Sequence, residues 1–337
     1  MAWLPPRAGA ARPALAAAAG VLLAVLATIW LGLDYPWWAA LGAWNAAGAD
    51  RAAVARQVPR ILLGTLGGAA ASVLLAAATG GVLLLEVLAM LAAGTIGSAR
   101  RFASPGGSLG WAFATLTVLL VLGQSVLAPI SVVDYAALRV GEIACGAAAG
   151  ALAALLLGPP GTAAAPPPAP PPVVEAPAGA SVPLGPAALV GGALMPAIAL
   201  LWSGLGLPAV LLTSVLAGFA FDRDLIALRR GVGGRLLGCL AGGLYALAVL
   251  PLGLDRILLW AAALGGGLTV FAMLRLSAEP RLQIAGLQAG VILIFGLITG
   301  SGPPSDVVGA VNLIVGITTA MAIVTGTGLV LRSLRPA

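Results

Sequence analysis

Residues 29–36 read Ile-Trp-Leu-Gly-Leu-Asp-Tyr-Pro, and residues 201–208 read Leu-Trp-Ser-Gly-Leu-Gly-Leu-Pro. Trp, Gly, Leu and Pro recur at matching places, 172 residues apart in a chain of 337. The likeness continues beyond these stretches. Asp50-Arg51 is matched by Asp222-Arg223 at the same spacing, and Arg60-ILLGTLGG by Arg235-LLGCLAGG with a shift of about two residues. Arg101-FASP is matched by Arg275-LSAEP. Both copies lie in long apolar runs. A duplicated membrane-spanning unit is the architecture of many transporters, in which the site lies where the repeats meet.

Composition agrees with a membrane chain. Hydrophobic residues make up 61% and charged residues 8%, with a mean hydropathy of +1.08. A soluble chain carries roughly 25% charged residues. The apolar runs reach the ~20 residues that a spanning helix needs. They are rich in Ala, Leu, Gly and Val and do not alternate, which argues for helices and against a barrel. Residues 14–33 are too long for a signal-peptide core and have no clear cleavage site, so they read as the first membrane helix.

Twelve spans are expected: 14–33, 36–49, 58–79, 81–99, 108–128 and 135–158, then 185–203, 207–221, 231–251, 256–275, 282–300 and 307–331. The chain divides into a first six-helix unit (1–158), a Pro/Ala-rich linker (159–184) and a second six-helix unit (185–337). The linker has no apolar core and should be extended and solvated. Six spans per unit make the repeats parallel, related by an axis along the membrane normal.

All 17 basic residues are Arg and there is no His. This bias, with the Ala, Gly and Pro excess, suggests a GC-rich bacterial genome. With the N-terminus in the cytoplasm, only Arg139 and Arg256 fall on the outer side. That asymmetry puts both termini and the linker in the cytoplasm. The Arg residues lie in short loops between spans, so no nucleic-acid partner is expected. Cys145 and Cys239 fall inside spans and should be free thiols. No catalytic triad, metal cluster or nucleotide motif is present, so neither an enzyme nor a cofactor is expected.

The order of motifs resembles the fusaric acid resistance / aromatic acid exporter (FUSC-like) family over nearly the whole chain. The residues carrying the resemblance are Gly32-Leu33-Asp34-Tyr35-Pro36-Trp37-Trp38-Ala39-Ala40, Arg60 with Gly64-Thr65-Leu66-Gly67-Gly68, Arg139 with Glu142 and Gly146, and Asn312 with Gly316. By that resemblance the chain would be a compact form, since larger members of the family carry sizeable cytoplasmic domains after each membrane half. The resemblance implies a bacterial inner-membrane exporter of aromatic carboxylic acids or related xenobiotics, working with a periplasmic adaptor (membrane fusion) protein. A passive organic-anion channel and a non-transporting scaffold of an efflux assembly are the alternatives. A homo-oligomer is compatible with all three.

Ionisable groups inside a membrane helix cost at least about 2.5–3.5 kcal/mol near the midplane and need a partner or a watery cavity. Glu86, Arg139 and Glu142 qualify, and helix rise places Gln124 and Asn312 at comparable depth in the outer half of the membrane. Arg139 and Glu142 are three apart and can pair. They are either a structural ion pair or a site in which Arg139 draws a substrate carboxylate while Glu142 or Glu86 exchanges a proton. Glu86 and Arg139 have a further reading, snorkelling to the interface. The spans beginning at Pro36 and Pro208 are unusually short, and short segments at matching repeat positions point to a site. A buried helix start offers N–H groups to an anion, whereas a thinned bilayer would also accommodate a short helix. Trp30, Trp37, Trp38, Trp44 and Trp202 surround these segments. They suit an interfacial belt, while Trp44, beside Asn45, could stack on an aromatic ring. The Gly-rich stretches Gly64–Gly68, Gly242-Gly243 and Gly265–Gly267 lack a P-loop Lys and suit close helix packing.

Overall fold

A computed structural model of the chain describes residues 9–104, 107–127, 131–160, 182–205, 213, 217, 220–252, 254, 256–298 and 308–333. Among them there are α-helices, a short 3-10 helix at Leu250–Leu252, turns and no strand. The helices are α1 (Ala11–Trp30), α2 (Pro36–Ala46), α3 (Arg51–Thr79), α4 (Leu83–Ala103), α5 (Ser108–Leu127), α6 (Val132–Leu157), α7 (Leu184–Gly204), α8 (Leu225–Val249), α9 (Ile257–Arg275), α10 (Pro280–Leu297) and α11 (Val308–Ser333). Ten of these are long and apolar enough to cross a membrane. The chain is an all-α polytopic membrane protein.

Local sequence sets the helix ends. Asp50 caps α3, its carboxylate accepting from Ala53 N at 2.7 Å. The cap starts α3 at Arg51, ahead of the expected 58, and Pro59 sits inside the helix. In the second half the capping carboxylate is Asp224, which accepts from Ala227 N at 3.3 Å. Asp222, the residue matched to Asp50 by sequence, instead accepts from Asp224 N at 3.0 Å. The two-residue shift in the sequence match falls at this turn. Between α1 and α2, Gly32 has φ +69°, a left-handed conformation that Gly adopts without strain. Pro36 then opens α2 at its first turn.

α2 has 11 residues, about 16 Å of helix, well short of the ~30 Å hydrocarbon core. The other short span expected, 207–221 with Pro208, lies largely outside the described residues; Thr213, Ala217 and Ala220 within it are helical. Linker residues 161–181 also lie outside them. The linker's described ends are tied down: Arg51 N donates to Pro159 O at 3.3 Å and Val182 N to Arg223 O at 2.8 Å.

In the first half α3 packs on α5 and α6, α4 packs on α5, and α1 and α2 pack on α6 and on each other. In the second half α8 packs on α10 and α11, and α9 packs on α10. Between the halves α4 packs on α7, α1 on α9 and α2 on α10. Glycines permit the closest approaches. A Cβ on Gly64 or Gly68 would run into the Gly110 or Ala114 carbonyl oxygen of α5. A Cβ on Gly238 or Gly242 would run into the Ala285 or Ala289 carbonyl oxygen of α10. Small residues let helix backbones meet where lipid supplies no hydrophobic drive.

Candidate functional site

Two features stand out, one inside the first half and one between the halves. The first is on α6, where Arg139 and Glu142, one turn apart, form an ion pair with relative exposures of 2% and 0%. Glu142 Oε1 also accepts from the backbone N–H of Tyr35 at 2.9 Å. Tyr35 is the N-cap of α2, so the anion at this buried helix start is supplied by the chain itself. The placement satisfies an end N–H that has no partner within α2 and suits the positive end of the helix dipole. The Arg139 guanidinium carbon lies 4.8 Å from the Tyr35 ring, 4.9 Å from Trp38 and 4.9 Å from Tyr135. Its Nε and Nη1 make no hydrogen bond among the described residues. Aromatic faces therefore take the place of solvent, each worth up to about 2 kcal/mol when the cation is desolvated.

The second feature is a cavity of about 290 Å³ between α2, α5, α8 and α10, reached also by Arg101 from the last turn of α4. Trp38, Leu41 and Asn45 face it from α2, at the i, i+3, i+7 spacing of one helix face. Phe113 and Leu116 on α5 and Val291 and Phe295 on α10 form the apolar walls. The polar groups are Asn45, Ser108, Gln288 and the two guanidinium side chains Arg101 and Arg235; the described lining contains no carboxylate. Arg235 Nη1 donates to Gln288 Oε1 at 3.0 Å. Gln288 is 2% exposed, and its amide nitrogen makes no hydrogen bond among the described residues. A buried donor left open in this way costs about 1–3 kcal/mol.

Trp38 joins the two features. Its indole lines the cavity, meets Phe295 edge to face at 5.9 Å and forms one wall around Arg139.

Paired arginines hold the seam between the halves. Arg101 Nη2 donates to Phe221 O at 2.7 Å, and the Phe102 ring meets Phe221 at 6.4 Å. Arg275, in the last turn of α9, donates to Trp44 O and lies 5.5 Å from the Trp44 ring. Trp44 Nε1 then donates to Leu287 O on α10 at 3.0 Å. Arg101 and Arg275 are the repeat-matched residues of the sequence, and each holds a carbonyl in the opposite half.

The structure brings Arg139, Glu142 and the start of α2, with Pro36, into one cluster. Glu86 is buried in the first turn of α4, Gln124 is half-buried near the end of α5, and Asn312 is half-buried near the start of α11. None of these three makes a hydrogen bond or ion pair with Arg139 or Glu142 among the described residues. Trp44 is fully buried and committed to Leu287 and Arg275 rather than to the cavity, whereas Asn45 lines it. Pro208 lies outside the described residues. By position in the sequence, Arg101 and Arg235 read as charges of short loops, and Gln288 is not singled out. Two signals were present: Arg235 and Gln288 interrupt apolar runs, and Arg101 has a repeat partner.

No family model, curated protein or solved structure matches the chain.

Proposed function

We propose that the chain is a secondary transporter of small aromatic carboxylates or related organic anions, exporting them across a bacterial inner membrane in exchange for protons. The observation that carries this reading is the inter-half cavity, whose described lining has two guanidinium groups, three aromatic side chains and no carboxylate. Arg donates in a fork matched to a carboxylate, and the faces of Trp38, Phe113 and Phe295 suit a ring. An apolar cavity of about 150 Å³ accepts benzene, so 290 Å³ has room for a substituted ring. Aromatic acids are also what the family resemblance implies.

The two-repeat reading, with twelve spans, is supported by the matched packing. The α3–α5, α4–α5 and α3–α6 contacts have counterparts in α8–α10, α9–α10 and α8–α11, and α4–α7 has one in α9–α1. The site then sits where repeat-built transporters bind substrate. Arg139 and Glu142 are the proposed coupling pair. A ring entering beside Trp38 shifts one wall of the Arg139 cage, loosens the ion pair and lets Glu142 take a proton. The excess of Arg at one side of the membrane supports cytoplasmic termini, and a periplasmic adaptor would complete the export path.

Reconstituted proteoliposomes loaded with a radiolabelled hydroxybenzoate test the proposal. An imposed pH gradient should drive flux against the substrate gradient. Flux that only follows the substrate gradient would replace the transporter with a channel, and no flux would leave a scaffold.

A further inference from the structure

A second hollow, of about 770 Å³, lies on the flank of the molecule between α3, α4 and α5, away from the inter-half cavity. Its walls are apolar almost throughout, from Gly67, Leu74 and Ala93 to Val118. Leu63, Leu74 and Ile96 on its rim are 70%, 71% and 57% exposed, so the hollow opens sideways, towards lipid. Along α3 it runs from Arg60 to Leu75, about 22 Å at helix rise. One leaflet of the hydrocarbon core is about 15 Å. The groove is thus long enough for a whole acyl chain.

One end of the groove is chemically different. Arg60 and Trp111 line it there, and Arg100 lies 5.7 Å from the Trp111 ring. Arg60 and Arg100 are exposed and make no ion pair with an acidic residue among the described residues. Trp at headgroup level and guanidinium groups at a helix end are the usual partners of an anionic lipid surface.

We infer that this groove binds one anionic glycerophospholipid, its phosphate held by Arg60 and Arg100 at the basic end and one acyl chain laid along α3. Charge decides between occupants. A second copy of this chain docked on the same face would bring its own Arg60 and Arg100 beside these and repel them, whereas a phosphate neutralises them.

Native mass spectrometry of the delipidated full-length protein tests the inference. Phosphatidylglycerol and phosphatidylcholine with identical acyl chains are added separately. One phosphatidylglycerol per protomer should be retained at least tenfold more tightly than phosphatidylcholine. The Arg60→Gln/Arg100→Gln variant should bring the two lipids level. Gly67→Phe should lower retention of both by filling the groove, since a Cβ at Gly67 meets nothing within 4 Å and the fold should be kept. Equal retention of the two lipids by the unmodified protein would overturn the inference. So would a Gly67→Phe variant that keeps its lipid or converts an oligomer to monomers.

Discussion

At the scale of single residues, burial forces Arg139 and Glu142 to act as a unit. Both are out of solvent, and Glu142 also holds the first turn of α2 through Tyr35. Removing one partner of a buried pair costs about 3–5 kcal/mol, because the other charge is stranded. Arg139→Leu should therefore lose roughly that much stability in a denaturant titration in detergent. Arg139→Leu/Glu142→Gln should recover most of it, since Gln can still accept from Tyr35. Equal losses in the single and double variants would mean that the cage, and not the charge pair, sets the stability. Glu142→Gln alone should keep substrate binding and abolish uptake driven by a pH gradient; normal pH-dependent transport would leave the pair a purely structural role. The pairing itself was legible in the sequence from the three-residue spacing on an apolar helix. The cage was not, because Tyr35 and Trp38 reach Arg139 through tertiary packing of α2 on α6. Glu86, Gln124 and Asn312 share a layer with the pair by counting residues, but depth along a helix carries no information about the direction in which a side chain points.

At the scale of helices, close approach decides what each glycine does. Gly67 and Gly68 are neighbours on α3 with opposite surroundings: a Cβ on Gly67 meets nothing, and one on Gly68 meets the Ala114 carbonyl. Gly68→Leu should therefore force α3 and α5 apart, costing at least the ~1–3 kcal/mol of an overpacked core. Gly67→Leu should leave thermal stability unchanged. Gly242→Leu, at the matching α8–α10 contact, should behave like Gly68→Leu. Comparable melting shifts for all three variants would show that these contacts do not limit packing. The glycine runs were legible as packing surfaces, but which glycine of each run faces a neighbour depends on helix rotation, which the sequence leaves open. Helix starts were less legible. The apolar pattern begins near residue 58, but the Asp50 cap carries the helix seven residues further back, beyond the hydrophobic stretch that marks a span.

At the scale of the whole molecule, helices of the two halves meet around the cavity between α2, α5, α8 and α10. The sequence match of IWLGLDYP with LWSGLGLP divides the chain into these halves, but the cavity between them was not legible, because it forms from helices that are distant in the chain. Arg235 is the clearest case: an arginine near the basic end of an apolar span reads as a topology signal until α10 places Gln288 beside it. The linker should act as a tether only. Deleting several residues within 161–181 should leave flux nearly intact, and loss of flux with normal membrane insertion would give the linker a specific role. Substrate bound between α2, α5, α8 and α10, as proposed, would shield a cysteine placed there. In a variant with Cys145 and Cys239 replaced by Ala, a Cys at Ala112 faces the cavity. Its labelling by a small thiol reagent should slow at least tenfold in saturating hydroxybenzoate, should be unaffected by the uncharged amide analogue, and should lose its protection when Arg235→Gln is added. Labelling at the same rate with and without the hydroxybenzoate would contradict the account.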